Sequence, residues 1–268
     1  MINSKEITSL QNPRVKAVVD LRERKSRDET GLMIVEGLRE LSLAQKAGIV
    51  FSEFYFEQLF FNDSVNKEFI ETVSAQCKEV FVLPEYVFQK ITFGHRHEGA
   101  LGVCSQPKKG LKDIQLSANP LLVIVESVEK PGNLGAILRT ADAVGADGLI
   151  VCDPVTDIYN PNVVRSSIGT VFSVCVVSAK AEETLKFLKS KNIVTCATLP
   201  QAGHCYTAID MNKPLAVIMG SEEAGLSEFW QKNSELSAYI PMKGKSDSLN
   251  VSVSAAVVLY EAIRQREK

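Results

Sequence analysis

No apolar run in these 268 residues approaches the roughly 20 that a membrane-crossing helix needs. The opening Met1-Ile-Asn-Ser-Lys-Glu6 lacks the charged-then-apolar layout of a secretion signal, so the expectation is a cytoplasmic protein. Internal repeats and low-complexity tracts are absent. The six cysteines (Cys77, Cys104, Cys152, Cys175, Cys196, Cys205) are scattered, and no pair has metal-ligand spacing. Several lie inside apolar runs and read as buried, reduced thiols. A large excess of one charge is missing too. The formal net charge of -2 argues against an unspecific nucleic-acid coat but leaves room for a local basic patch.

What remains is ordinary globular composition, 45% apolar and 23% charged, in a chain long enough for one large domain or two smaller ones. Residues 1–27 carry Lys5, Arg14, Lys16, Arg22, Arg24, Lys25 and Arg27 against only Glu6, Asp20 and Glu23. Val15, Val18, Val19 and Leu21 run beside these arginines, which predicts an amphipathic helix with a basic face. Such a face suits phosphate backbone, and a solvated helix surface is the plainer alternative. Strand-like runs then alternate with helical ones: Gly31–Gly37, Phe54–Phe56, Val80–Leu83 and Ala100–Cys104 against Leu38–Ala47, Asn66–Gln76 and Glu85–Thr92. That alternation predicts a small α/β domain over residues 1–106.

Between Gln106 and Pro120 apolar density falls and turn-formers gather, so residues 107–120 read as a linker. A second α/β series fills residues 121–268. Its strands are Leu121–Val125, Gly148–Cys152, Phe172–Val177, Ile193–Ala197, Pro214–Met219 and a short Tyr239–Met242. Its helices are Leu134–Val144, Val163–Ile168, Ala181–Lys189 and a final Val251–Ile263. Continuous apolar strands separated by helices imply a parallel sheet covered on both faces. The final helix is apolar nearly all round, which predicts burial, with Ser248 or Asn250 as its cap.

In an open parallel sheet, ligands sit beyond the carboxyl ends of the strands. Three loops lie there. Glu129-Lys-Pro-Gly-Asn-Leu-Gly135 leads into a helix start, where free amides and the helix dipole favour an anion. Its Gly132-x-x-Gly135 spacing is not the dinucleotide fingerprint, which disfavours a nucleotide-dependent oxidoreductase. Arg139, on an otherwise apolar helix, calls for a phosphate or carboxylate partner. The second loop, Met219-Gly-Ser-Glu-Glu-Ala-Gly-Leu-Ser227, brackets two carboxylates between glycines that let a ligand approach the backbone. The third, Ile240 to Asn250, is polar and runs straight into the final helix. Taken singly, each loop also reads as an ordinary capped turn. His95 and His97 are candidates for RNA or metal contact, with a plain surface loop as the alternative.

Together and in order, Asn133-Leu-Gly-Ala-Ile-Leu-Arg139-Thr-Ala, Ile218-Met-Gly-Ser-Glu222-Glu-Ala-Gly-Leu-Ser and Ile240-Pro-Met-Lys-Gly-Lys-Ser-Asp-Ser-Leu-Asn250-Val-Ser-Val-Ser-Ala-Ala closely resemble the three motifs of the SpoU (TrmH-like) RNA ribose methyltransferases. Residues 29–47, with Ile34-Val-Glu-Gly37, resemble part of that family's substrate-binding domain, which is similar to a small ribosomal protein. The resemblance implies a trefoil-knotted α/β methyltransferase domain that binds S-adenosylmethionine (AdoMet), and homodimers formed through the C-terminal domain. It implies methylation of the 2'-hydroxyl of one ribose, in ribosomal RNA in preference to transfer RNA because a whole N-terminal domain is present. A non-catalytic RNA-binding relative is the alternative.

Carried over by position, Asn133, Arg139, Glu222 and Asn250 are the catalytic residues. Thr198, Leu199, Met219, Gly220, Ile240, Met242 and Leu249 contact the cofactor, chiefly through backbone. Arg14, Arg22, Arg24 and Arg165 are the RNA-contacting candidates, and no metal is implied. Glu223 departs from the family pattern, in which glycine commonly follows the acid. Arginine keeps its proton, so Arg139 is expected to hold a phosphate or to lower the hydroxyl's pKa rather than to act as a base.

Overall fold

A computed structural model describes residues 2–60, 64–93 and 99–267. His95 and His97 lie outside these residues. The chain forms two compact units. The first comprises Met1–Pro107 together with Tyr159–Ser173; the second comprises Lys108–Ile158 and Val174–Lys268.

The first unit contains strands β1 (Lys5–Glu6), β2 (Leu32–Glu36), β3 (Phe51–Glu57), β4 (Glu79–Leu83) and β5 (Ala100–Ser105). They form a mixed sheet in the order β1-β4-β3-β5-β2, antiparallel at β3–β5 and β5–β2. Helices α1 (Pro13–Asp20), α2 (Arg24–Thr30), α3 (Leu38–Lys46), α4 (Ser64–Ser74) and α5 (Glu85–Ile91) accompany it. The basic N-terminal stretch is therefore two short helices. Asn12 caps the first by accepting from Arg14 N–H, with Pro13 at the first helical position. The core joins Val15, Val18 and Leu21 to Ile34, Tyr55, Phe81 and Phe88.

The segment Tyr159–Ser173 falls between two strands of the second unit's sheet, yet it packs with the first unit. It carries α7 (Pro161–Ser166) and α8 (Thr170–Ser173). The apolar pattern of Phe172–Val177 predicts strand throughout, but the first two of those residues are helical. Gly169, at φ +80°, turns the chain, and Thr170 and Ser173 hydroxyls bond back to carbonyls three residues earlier. Strand starts only at Val176.

The second unit's sheet is wholly parallel. Its strands are β6 (Leu121–Glu126), β7 (Gly148–Cys152), β8 (Val176–Ala179), β9 (Val194–Thr198), β10 (His204–Cys205), β11 (Leu215–Met219) and β12 (Leu236–Tyr239), in the order β10-β12-β9-β11-β6-β7-β8. The last strand ends at Tyr239, so Ile240–Met242 belong to the loop. Helices α6 (Pro131–Ala143), α9 (Ala181–Ser190), α10 (Glu228–Asn233) and α11 (Val251–Arg266) complete the unit. β6 and β11, buried along their whole length, are central. Their carboxyl ends therefore deliver the loops at 126–131 and 219–228 side by side.

Helix α11 differs from expectation. Val251, Ala255, Val258, Leu259 and Ala262 are buried, but Val253 is 48% and Tyr260 54% exposed. Apolar composition all round thus conceals a buried face and an open apolar one. Arg266 fastens the helix end by donating to the carbonyls of Asn119, Pro120, Met211 and Lys213.

Candidate active site

Asn250 is the N-cap of α11. Its Oδ1 accepts from Ser252 N–H at 2.9 Å and from Ser252 Oγ at 2.6 Å. That leaves its amide nitrogen to donate, and the acceptor is Asn133 Oδ1 at 3.1 Å. Asn133, in the first turn of α6, in turn donates from Nδ2 to Glu222 Oε1. Three motifs far apart in sequence meet in this relay. Its polarity is self-consistent: a carboxylate only accepts, so Asn133 must present its NH2 group to Glu222 and its oxygen to Asn250. Glu222 Oε2 is buried and, among the described residues, has no hydrogen-bond partner. A buried lone carboxylate oxygen is costly, so it is an acceptor position open to a ligand hydroxyl.

The loop carrying Glu222 is a tight closed turn. Ser221 and Gly225 exchange backbone hydrogen bonds of 3.0 and 3.2 Å, and Ala224 N–H donates to Ser221 Oγ. Gly220 is required by contact rather than by dihedral angle: a Cβ there would sit 2.2 Å from the Gly225 carbonyl carbon.

Two adjoining hollows of about 320 and 570 Å³ share Thr198, Leu199, Pro200, Asp247, Ser248, Leu249 and Ser254. Ile240 and Met242 line the smaller; Met219, Gly220, Glu222 and Asn250 line the larger. All seven residues assigned to the cofactor therefore border one cleft, of a size usual for small-molecule sites. Its chemistry fits AdoMet. The apolar side chains of Met242 and Leu249 are left partly exposed at its edge. Among the described residues, the amides from Met242 to Leu249 make no backbone hydrogen bond, which leaves them free for a purine edge. Glu222, Glu223 and Asp247 against Lys130 give the lining a negative balance suited to a sulfonium. Leu199 differs from a backbone contact: its N–H donates to Ala238 and its carbonyl accepts from Ala202, so it offers chiefly its side chain. Thr198 Oγ1 is engaged with Ile218 O at 2.7 Å.

Arg139 does not join this cleft. It lies six residues past Asn133, about 120° around the helix at 100° per residue. It is exposed and borders a shallow hollow of about 260 Å³ with Ala136, Thr140, Ala143 and Tyr260 of α11. Among the described residues nothing hydrogen-bonds or ion-pairs with its guanidinium.

The four arginines proposed for RNA contact have partners within the first unit. Arg14 pairs with Glu53 and Glu79 and lies 4.7 Å over the Phe81 ring. Arg22 donates to the carbonyls of Lys90 and Thr92. Arg165 donates to Phe93 O, while Glu36 of Ile34-Val-Glu-Gly accepts Phe93 N–H at 2.6 Å. Arg24 pairs with Asp28 at 3.5 Å, both more than half exposed.

Sequence reasoning missed Ser252, which completes the relay, and Glu126, a buried acid at the end of β6. An acid closing an apolar strand at the ligand-binding edge of the sheet is the signal that marks Glu126.

Comparison with known proteins shows the family. The SpoU rRNA Methylase family matches residues 120–260, and the MRM3-like substrate binding domain matches residues 12–102. The chain is 29% identical over 257 residues to the 23S rRNA (guanosine(2553)-2'-O)-methyltransferase RlmP of Bacillus subtilis, covering 96% of this chain and 98% of that one. It is 31% identical over 253 residues to the 23S rRNA (uridine(2479)-2'-O)-methyltransferase of Streptomyces viridochromogenes, covering 91% and 86%. Among solved structures, an AdoMet-bound rRNA methyltransferase from Sinorhizobium meliloti superposes with a TM-score of 0.89 at 31% identity, covering 97% and 98%. By its folded units, its site and these matches, the chain belongs to the SpoU rRNA methylase family.

Proposed function

We propose that this protein is an AdoMet-dependent RNA methyltransferase that methylates the 2'-hydroxyl of one ribose in ribosomal RNA, acting in the cytoplasm as a homodimer. The observation that carries the reading is the Glu222–Asn133–Asn250 relay, which ends on an unpartnered carboxylate oxygen beside the cleft. AdoMet, when bound, supplies the methyl group. The chain's own residues then have two tasks: to hold the ribose hydroxyl in line and to receive its proton. Glu222 Oε2 accepts the hydroxyl hydrogen, and Asn133 and Asn250 keep Glu222 from turning away. Alignment of this kind is worth several orders of magnitude in rate. A relay of intact polarity leaves the non-catalytic alternative without support.

Arg139 binds the phosphate beside the target ribose or lowers the hydroxyl's pKa. It faces away from the cleft of its own chain, beside the exposed apolar stripe of Val253 and Tyr260. A second copy seated on that stripe brings its Arg139 to the cleft, which is why the reading includes a homodimer. The knotted path that the family resemblance implies belongs to the same proposal. Among the RNA-contacting candidates, Arg24 forms an exposed i,i+4 pair with Asp28, a type of pair worth only about 0.3–0.5 kcal/mol. Arg14, Arg22 and Arg165 would have to share or leave their present partners.

Transfer of radiolabelled methyl from AdoMet to ribosomal RNA tests the reading. Arg139→Ala is expected to abolish transfer while calorimetric AdoMet binding stays within about twofold of wild type. Near-normal turnover of that variant would sink the assignment of Arg139; a wild-type chain that transfers nothing to any RNA would sink the activity.

A further inference from the structure

Strand β6 is apolar through Val125 and then ends on Glu126, which is buried. A buried carboxylate persists only if its oxygens are satisfied. Both are satisfied by one residue 101 positions away: Ser227 N–H donates to Oε2 and Ser227 Oγ to Oε1, each at 2.7 Å. Ser227 is the N-cap residue of α10, where serine usually turns its hydroxyl onto its own helix. It makes no such bond here; the hydroxyl is turned to Glu126 instead.

The placement matters because of what Ser227 holds. The closed turn Ser221–Gly225 carries Glu222, and only Leu226, itself buried, separates that turn from Ser227. One end of the turn is fixed by β11 through Gly220, where no Cβ fits; the other is fixed by Glu126. On the same strand, the residue after Glu126 is Ser127, at φ +52°, which begins the turn into α6 and Asn133. One strand end therefore supports both partners of the Asn133–Glu222 bond.

We propose that Glu126 is a positioning residue for methyl transfer: by clamping Ser227 it sets Glu222 against Asn133 and thereby shapes the relay. It acts through Ser227 and touches neither RNA nor AdoMet. The inference rests on the function proposed above, and its test has a readout independent of that function. Trp230 is the single tryptophan of the chain, fully buried and three residues past Ser227, so its quenching by acrylamide reports whether the clamp holds.

Glu126→Ala is expected to lower kcat at least about tenfold, leave KM for RNA within about twofold, and raise Trp230 quenching about twofold. Glu126→Gln should stay near wild type in all three, since its carbonyl accepts Ser227 N–H and its amide donates to the Ser227 hydroxyl. Ser227→Ala, a change at an exposed residue that keeps the fold, should fall between, and the double variant should be no worse than Glu126→Ala alone. Wild-type kcat and quenching in Glu126→Ala would overturn the proposal. So would a Glu126→Gln as impaired as the alanine variant, additive losses in the double variant, or a lower melting temperature with kcat per folded molecule intact. If the wild-type chain transfers no methyl, the function fails, and the quenching series still judges the clamp.

Discussion

Asn133 is an asparagine because it must donate on one side and accept on the other within a single planar group. Aspartate has the same shape but would face Glu222 with a second carboxylate. Asn133→Asp is therefore expected to reduce turnover at least about 100-fold, equivalent to about 2.7 kcal/mol of lost transition-state stabilisation. Single-turnover methyl transfer measures it, and a loss under threefold would remove Asn133 from the machinery. The cysteines illustrate burial acting on single residues. Removal from water pushes the Cys104 and Cys152 thiols up to about 12, and those of Cys77 and Cys196 up to about 11. The Cys205 thiol is instead held below its usual value by hydrogen bonds from Thr207. Only the thiolate reacts with a disulfide reagent. Titration of the folded protein at neutral pH should therefore show Cys205 reacting first and the buried Cys104, Cys152 and Cys196 last. Loss of the fast phase in Cys205→Ser checks the order.

At the scale of an element, α11 has two functions joined at Asn250. As N-cap it satisfies Ser252 N–H, a contribution of about 1 kcal/mol; as relay member it donates to Asn133. The functions separate chemically. Asn250→Asp keeps a good cap but loses the amide donor. Its melting temperature should stay within about 2 °C of wild type while turnover falls at least tenfold. Asn250→Ala should lose both. If the aspartate variant melts early and turns over normally per folded molecule, the residue is structural only. The other end of α11 is fixed by Arg266, whose guanidinium gathers four carbonyls from two loops. The helix is thus held at both ends while its Val253–Tyr260 face stays open.

At the scale of the whole molecule, the proposed homodimer makes a test that no single chain passes. If Arg139 serves the cleft of the partner, then Arg139→Ala and Glu222→Ala chains are each inactive alone. Mixed and allowed to exchange, they form hybrids in which one of two sites is complete. Activity should return to about a quarter of wild type, because random pairing makes half the dimers hybrid. Absence of recovery in confirmed hybrids would place Arg139 in its own chain's site. Tyr260→Arg, on the open face of α11, should shift the protein to monomers in sedimentation and lower turnover with little change in melting temperature.

The amino-acid sequence alone determined the central strands β6, β7, β9 and β11, because a doubly covered parallel strand must be an apolar run, and those runs are visible without contacts. It also pointed to three loops, because they stand at strand ends and their motifs, taken together and in order, form one recognisable pattern. Contacts between distant residues decided the rest. Arg14 and Arg22 read as a basic face until Glu53, Glu79 and two carbonyls claim them. Phe172 and Ser173 read as strand until the turn at Gly169 winds them into α8. The open face of α11 hides in a composition that is apolar on every side. The bonds from Ser227 to Glu126 join residues whose separation in sequence carries no pattern at all. Local periodicity records which face of an element is apolar; only the tertiary structure records what each polar group finds when that face is buried.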